Sequence, residues 1–281
     1  MMTPRIDDIQ ASLREVLRFL ADAGVDEALD EVAVNRFAEP PRRQAARPEQ
    51  EERTRETGSK VAPAAQVDLR RPAAAVPDEA QAARARELAR SASTLAELQE
   101  ILAGFDGCNL KFTAKNLVFA DGNPKAAVMF VGEAPGRDED LEGLPFVGRS
   151  GQLLDRMLAA IGLDRGSAYI ANVIPWRPPG NRTPTPHETE ICRPFIERQI
   201  ELVGPKVLVN LGAPSSKTLL NTTENILRLR GNWRVHTTAS GVAIPAMPTL
   251  HPAYLLRNPA HKKLAWRDFL EVKARLRSLE Q

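Results

Sequence analysis

The chain has 281 residues, of which 43% are hydrophobic and 26% charged. This composition suffices for one substantial core with accessory segments and argues against two large domains. The formal net charge is only +2, so a nucleic-acid surface would have to come from local clusters of Lys and Arg. No run approaches the roughly 18 consecutive apolar residues of a membrane span, and residues 1–10 lack the layout of a secretory signal. We therefore expect a cytoplasmic monomer that does not contact a membrane.

Two cysteines, Cys108 and Cys192, lie far apart in the sequence. Because the chain carries no recognisable export signal, a structural disulfide between them is not expected. Two isolated thiols are also too few to form a metal centre by themselves.

The first 77 residues divide into two segments of different composition. Residues 38–77 are rich in Pro, Arg, Glu, Gln and Ala and hold few large apolar side chains, which predicts a flexible linker. The main domain is expected to span residues 78–281 and to begin with a helical stretch over residues 78–103. Before the linker, apolar residues recur at steps of three and four and predict a helical arm over residues 1–37: Ile6, Ile9, Leu13, Val16 and Leu20.

Beyond residue 104, short apolar runs alternate with helical patterns. Gly162 indicates a helix end, and the run from Thr185 to Glu188 has the pattern of a capping box with Pro at the first helical position. Alternating strands and helices indicate an α/β fold. We predict a three-layer α/β/α domain with a central four-stranded parallel sheet. The expected strands are 126–131, 169–173, 207–211 and 244–250, and the expected helices are 151–161, 186–203 and 260–279.

Candidate functional residues follow the first apolar run, since ligands of open parallel sheets bind beyond the carboxyl ends of the strands. Gly132, Glu133 and Ala134 combine small residues, which let backbone amides approach a ligand, with one carboxylate. Phe146 follows, flanked by Pro145 and Gly148. A helix beginning near Ser150 offers an N-terminus that can hold a phosphate. The short motif alone is equally typical of a Gly/Pro turn with solvated acids.

Two further strand ends carry polar residues. Asn172 lies near the end of the second run, and its amide suits either the edge of a pyrimidine ring or a turn cap. Arg177 and Arg182 follow it on a Pro-rich loop and suit either phosphates or solvent. His251 follows the fourth run; fixed by the next Pro, it suits either a hydrogen bond to developing negative charge or a structural role.

Taken together, these motifs resemble the family-four uracil-DNA glycosylases, the bacterial and archaeal iron-sulfur branch of that superfamily. The similarity covers about residues 98–279, and it is specific because all the motifs occur jointly. It implies a base-excision repair enzyme that flips uracil out of single- or double-stranded DNA and hydrolyses its bond to the sugar, leaving an abasic site. The motifs are GEAPG (132–136), PFVG (145–148), AN (171–172), RPPGNR (177–182) and HPAYLLR (251–257).

The resemblance also implies roles for individual residues. Phe146 would stack on the flipped base, Asn172 would read its Watson–Crick edge, and the backbone around Gly132 and Ala134 would hold a carbonyl oxygen. Leu255 and Arg257 would occupy or brace the gap left in the duplex. We also expect contacts with the DNA from Arg137, Ser150, Arg177 and Arg182.

The chemistry is implied for three side chains. Glu133 would position or activate the water that attacks the sugar C1′, with Glu139 in the same loop as a second candidate. His251 would stabilise the uracil anion as it leaves.

One departure concerns the family's four-iron cluster. Matching the four ligand positions to this chain places Phe105 and Cys108 at the first pair, Trp176 at the third and Cys192 at the fourth. Because such a cluster normally needs four thiolates, we predict that the protein binds no iron-sulfur cluster and has no other metal or cofactor.

Two other activities remain as alternatives. The altered cluster region is compatible with a protein that binds uracil or abasic sites without turnover. A relative that traps DNA covalently through a His-bearing insertion is disfavoured, since residues 140–148 form a short segment without His.

Overall fold

The computed structural model describes residues 78–279. Contacts divide the chain into residues 1–68 and residues 69–281, and all described residues belong to the second unit. The predicted arm (1–37) and linker (38–77) lie outside the described residues.

The helical stretch predicted over 78–103 forms two helices, α1 (Asp78–Ser91) and α2 (Leu95–Gly104). The break occurs because Thr94 adopts an extended backbone and accepts a hydrogen bond from the Glu97 N–H at 3.2 Å, which caps α2. The predicted helical stretch is therefore interrupted between Ser91 and Leu95, and its apolar residues Leu98 and Leu102 are buried.

A six-stranded mixed sheet forms the centre of the domain, in the order β1-β3-β2-β4-β6-β5. The four inner strands are parallel, whereas β1 and β5 pair antiparallel at the two edges. The predicted four-stranded parallel sheet is therefore wrong in its strand number and in its outer pairings. The strands are β1 (Asp121–Gly122), β2 (Val128–Gly132), β3 (Ala168–Asn172), β4 (Val207–Leu211), β5 (Arg234–Thr237) and β6 (Ala243–Thr249).

Both edge strands lack the pattern that reveals a buried strand. β1 has only two residues, too few for any periodicity. In β5 only His236 is buried, because the outward side chains of an edge strand face solvent. The inner strands, by contrast, are buried at all or most positions, which is why their apolar runs predicted them.

Helices cover both faces of the sheet. Met129 and Val131 of β2 pack in a core with residues of α1 and α2, whereas the alternate residues Val128 and Phe130 pack on the opposite side. This alternation follows from the two-residue period of a strand, and it places a helical layer on each side.

The remaining helices position the strand ends. α5 begins at the predicted capping box, in which the Thr185 hydroxyl accepts from the Glu188 N–H and the Glu188 carboxylate accepts from the Thr185 N–H. These helices are α3 (Arg137–Glu142), α4 (Arg149–Ile161), α5 (Pro186–Val203), α6 (Ala213–Leu220), α7 (Ile226–Leu229), α8 (Pro252–Arg257) and α9 (Lys262–Ser278). Between residues 78 and 279, none of the helices is long and apolar enough to cross a membrane.

Candidate active site

A cavity of about 520 Å³ opens at the carboxyl ends of the inner strands. It brings together Glu133, Phe146, Asn172 and His251, which lie far apart in the sequence. The cavity thus lies where ligands of parallel sheets are expected, beyond the carboxyl ends of the strands, an expectation that we call the strand-end rule. Other predicted residues that line it are Ala134, Glu139, Ser150, Arg182 and Arg257.

Gly132 holds two of these side chains close to the backbone of β2. It lies opposite Asn172 in the parallel pairing of β2 with β3. A Cβ atom at this position would lie 2.7 Å from Cζ of Phe146 and would also clash with Oδ1 of Asn172. A residue without a side chain is therefore needed for both groups to reach the cavity.

We expect Gly132→Ala to lower both stability and function, because its methyl group must displace Phe146 or Asn172. Overpacking of this kind reduces the free energy of unfolding by about 1–3 kcal/mol, which thermal or denaturant unfolding would measure. Gly104→Ala is a matched control, since a Cβ there meets no atom within 4 Å. Equal stability of the two variants would contradict this account of the pocket.

Asn172 is buried, with 5% of its surface exposed, and its Oδ1 has no hydrogen-bond partner. A buried amide oxygen without a partner is costly. Asn172 caps no turn, so the cap interpretation left open by the sequence loses its support. Its position instead suits an acceptor held ready for a ligand N–H.

Phe146 forms one wall of the cavity. Its backbone is left-handed, with φ of 55°, which is uncommon for a residue with a bulky side chain. The ring stacks on the imidazole of His251, with 5.4 Å between the ring centroids and 29° between the planes. Both rings line the cavity together with Asn172.

His251 caps the N-terminus of α8. Its Nδ1 accepts a hydrogen bond from the Ala253 N–H at 3.1 Å, so in the neutral ring the proton resides on Nε2. Burial, with a contribution from the positive charge of Arg257, lowers the pKa of His251 to about 4. The imidazole is therefore a neutral hydrogen-bond donor near neutral pH.

Glu133 and Glu139 have different environments. Burial raises the pKa of Glu133, and its backbone is fixed because its carbonyl accepts from the Ile174 N–H at 3.0 Å. The carboxylate of Glu139, in contrast, accepts hydrogen bonds from the N–H groups of Gly136, Val147 and Gly148 at 3.0–3.1 Å. Glu139 thus braces the loop that carries Phe146, and Glu133 retains the freer carboxylate.

The predicted arginines are placed differently from one another. Arg182 lines the cavity but forms a bidentate ion pair with Glu188, with N–O distances of 2.6 and 2.8 Å. Arg177 lies outside the cavity lining and donates from Nε to Asn181 at 2.7 Å. Arg137 is exposed at the start of α3. Arg257 also lines the cavity and, unlike Arg182, is not paired with a carboxylate among the described residues.

The turn after His251 presents a different leucine from the predicted one. Leu255 is 1% exposed and packs with Leu250 and Ala265 in a small core. Leu256 is the exposed leucine of α8, at 37%. A helical turn buries one of two successive residues, and hydrophobicity alone did not reveal which one.

Sequence reasoning missed two parts of the lining. The end of β4 contributes Gly212, Ala213 and Pro214, and the strand-end rule used for the other three strands would have found them. Ile226 comes from the short helix α7. No local pattern marks it, because its place depends on how α7 packs beside β6.

The four positions matched to the iron-sulfur cluster do not fit that group. Phe105 and Trp176, at two of the matched positions, are buried aromatic residues with 1% and 2% exposure and offer no sulfur ligand. Sγ of Cys192 lies 3.8 Å from Sγ of Cys108. The hydrogen bond between the two thiols raises the pKa of Cys192, which burial raises further, and lowers the pKa of Cys108. Over residues 78–279, no group of three or more His, Cys, Asp or Glu is arranged to hold a metal ion.

Comparison with known proteins agrees with this site. Residues 119–270 match the family model described as the uracil DNA glycosylase superfamily. A type-4 uracil-DNA glycosylase of Saccharolobus solfataricus is 41% identical over 179 residues, which is 61% of this chain and 81% of that relative. The protein of the same description from Archaeoglobus fulgidus is 43% identical over 59% of this chain and 84% of the relative.

A bacterial protein of the same description, from Thermotoga maritima, is 40% identical over 60% of this chain and 88% of that relative. The matched region contains every strand that contributes to the cavity. The chain therefore belongs to the uracil DNA glycosylase superfamily, among the type-4 uracil-DNA glycosylases.

Proposed function

We propose that this protein removes uracil from DNA by hydrolysing the N-glycosidic bond, which leaves an abasic site and starts base excision repair. The observation that carries the proposal is the cavity itself. It combines a stacking ring, an unpaired amide acceptor, a neutral imidazole donor and a carboxylate. The similarity to glycosylases described as acting on uracil in DNA supports the same conclusion.

Base recognition would rest on Phe146 and Asn172. The ring of Phe146 offers a flat face on which a flipped pyrimidine can stack. Uracil presents an N3–H donor beside its O4 acceptor, and the Asn172 amide complements this pair with Oδ1 as acceptor and Nδ2 as donor. The buried Oδ1 lacks a partner until such a base arrives. Backbone groups of Gly132 and Ala134 would complete the edge of the pocket.

The chemical step would use Glu133 and His251. A water molecule attacks the sugar C1′ and gives a proton to the Glu133 carboxylate, so that a C1′–O bond forms. The C1′–N1 bond breaks, and its electron pair leaves with the uracil as an anion. The Nε2–H of His251 donates to the oxygen on which this charge develops. A neutral donor suits this role, because it need not lose a proton at neutral pH.

We expect excision to require an ionised Glu133 and a neutral His251. His251 is neutral above a pKa of about 4, and burial raises the pKa of Glu133 above its usual value. Single-turnover rates should therefore rise with pH and level off above the pKa of Glu133. In Glu133→Gln the residual rate should no longer rise with pH over the range in which Glu133 ionises. A residual rate that still rises over this range would contradict the assignment of the base to Glu133.

Contacts with the DNA are proposed for the rim of the cavity. Arg257 and Ser150 line it, and the N-terminus of α4 beside Ser150 would favour a phosphate. Arg137 and Arg177 would contact the DNA backbone farther from the base. Arg182 would contact it through the guanidinium N–H groups that do not bind Glu188. Leu256, exposed in α8, replaces Leu255 as the side chain proposed to enter the duplex gap.

We also propose that the protein functions without an iron-sulfur cluster. The support is the pair of buried aromatic residues at two of the four positions. We expect purified protein to show no absorbance band near roughly 400 nm, and the variant with Cys108→Ala and Cys192→Ala to keep excision within a few-fold. About four irons per chain, as such a cluster requires, would contradict the proposal.

A non-turnover binder of uracil or abasic sites is the second candidate, supported by the altered cluster positions alone. Oligonucleotides carrying uracil, hypoxanthine or an etheno base, treated with mild alkali after incubation, separate the two. An enzyme cuts the uracil strand and loses this product in Glu133→Ala and His251→Ala. A binder gives no product with any of these proteins. The cytoplasmic location and the monomeric state stay predictions.

A further inference from the structure

Arg165, in the loop between α4 and β3, uses its whole guanidinium to join three segments. Nε donates to Asp155 Oδ1 at 2.9 Å, and Nη1 donates to Asp121 Oδ2 at 2.6 Å and to the carbonyl of Pro145 at 3.1 Å. Nη2 donates to the carbonyl of Phe146 and, at 3.5 Å, to Asp155 Oδ2. All five N–H donors of the arginine therefore have acceptors.

Two of these bonds reach backbone carbonyls, one at Phe146, whose ring walls the cavity, and one at the preceding residue, Pro145. Phe146 has a left-handed backbone with φ of 55°, a conformation that persists in a bulky residue only when its surroundings impose it. Gly151 at the start of α4 contributes to this constraint, since a Cβ there would clash with the Phe146 carbonyl. The Phe146 carbonyl therefore accepts a hydrogen bond from Arg165 and also lies close to Gly151 in the first turn of α4.

The two carboxylates make this arrangement stable. Asp121 belongs to β1 and Asp155 to α4, and together they offset the charge of a guanidinium that is 26% exposed. A lysine has three donors radiating from one atom and cannot span two adjacent carbonyls and two carboxylates in one plane. The geometry is therefore specific to arginine.

We propose that Arg165 is a positioning residue for base stacking, which fixes the Phe146 ring by holding the carbonyls of Pro145 and Phe146. The inference rests on the proposed function and deepens it, because Arg165 itself lines no part of the cavity. Its effect on the reaction passes through Phe146 alone.

A double-mutant cycle tests this route in the full-length chain. We expect Arg165→Met to lower the single-turnover rate about ten- to hundredfold, as misplacement of a substrate-positioning group does, with an unchanged KM for DNA. Arg165→Lys should show a similar loss while keeping the charge. In the Phe146→Ala background, Arg165→Met should cost less than about twofold more. Equal losses in both backgrounds, or none in the wild-type background, would overturn the proposal.

A spectroscopic measurement tests the same inference without using activity. Protein labelled with 4-fluorophenylalanine gives a ¹⁹F resonance for Phe146, assigned by its loss in Phe146→Leu. This resonance should shift or broaden in Arg165→Lys and Arg165→Met. Arg198→Met is the matched control, since Arg198 also donates to a backbone carbonyl, that of Ala92, and to a carboxylate, that of Glu201.

The control should leave the Phe146 resonance in place. An unmoved resonance in both Arg165 variants, or an equal shift in Arg198→Met, would refute the positioning role. Absence of uracil excision by the wild-type protein would instead refute the proposed function, and the fluorine spectra would still decide whether Arg165 positions Phe146.

Discussion

Replacing His251 by Ala is expected to lower single-turnover excision of uracil by about 10²–10³-fold, the usual cost of losing one donor to a developing anion. The Nδ1 atom of this ring caps α8, so His251→Ala also removes a helix cap. His251→Asn separates the two effects, because asparagine is a good cap but does not present a donor where Nε2 lies.

Both variants are expected to lose excision to a similar extent, while His251→Asn keeps the thermal midpoint closer to that of the wild type. Rapid-quench measurement with uracil-containing DNA and thermal unfolding would check the two parts. Excision by His251→Asn within a few-fold of the wild-type rate would show that the imidazole does not stabilise the leaving base.

Glu133→Gln is expected to reduce excision by about 10²–10⁴-fold, the range usual for loss of a general base. The change preserves the size of the side chain and removes only its ability to accept a proton. Affinity for uracil-containing DNA should change little, because Phe146 and Asn172 still receive the base. Binding and single-turnover rates measured on the same oligonucleotide would separate the two effects.

Glu139→Gln is the matched control in the same loop. Its carboxylate accepts three backbone N–H groups, so this variant should lose more stability than Glu133→Gln and less chemistry. The reverse pattern, with excision abolished in Glu139→Gln and kept in Glu133→Gln, would assign the water-activating role to Glu139.

The inner part of the fold was predictable because its signals are local. Buried parallel strands produce continuous apolar runs, and the predicted strand over 207–211 and helix over 186–203 coincide with β4 and α5. The edge strands could not be predicted from the sequence, because β1 is two residues long and β5 is mostly exposed. Strand order and edge pairing depend on long-range contacts that leave no periodicity.

The position of some candidate site residues could be predicted for similar reasons, whereas that of others could not. Glu133, Asn172 and His251 follow directly from the strand-end rule, and the structure places all three at one cavity. Tertiary packing alone decides that Leu255 is buried instead of Leu256, and that Glu188 engages Arg182. The role of Arg165 also depends on residues 10 to 44 positions away, which no local pattern joins.

The central claim is that this cavity hydrolyses the bond between uracil and its sugar. The most direct measurement is the release of free uracil from an oligonucleotide with a single uracil, followed together with the alkali-sensitive sites left in the strand. We predict that both products appear in equal amounts with the wild-type protein and that neither appears with Glu133→Gln over the same time. Stable binding of the oligonucleotide by the wild-type protein without release of uracil would contradict the claim.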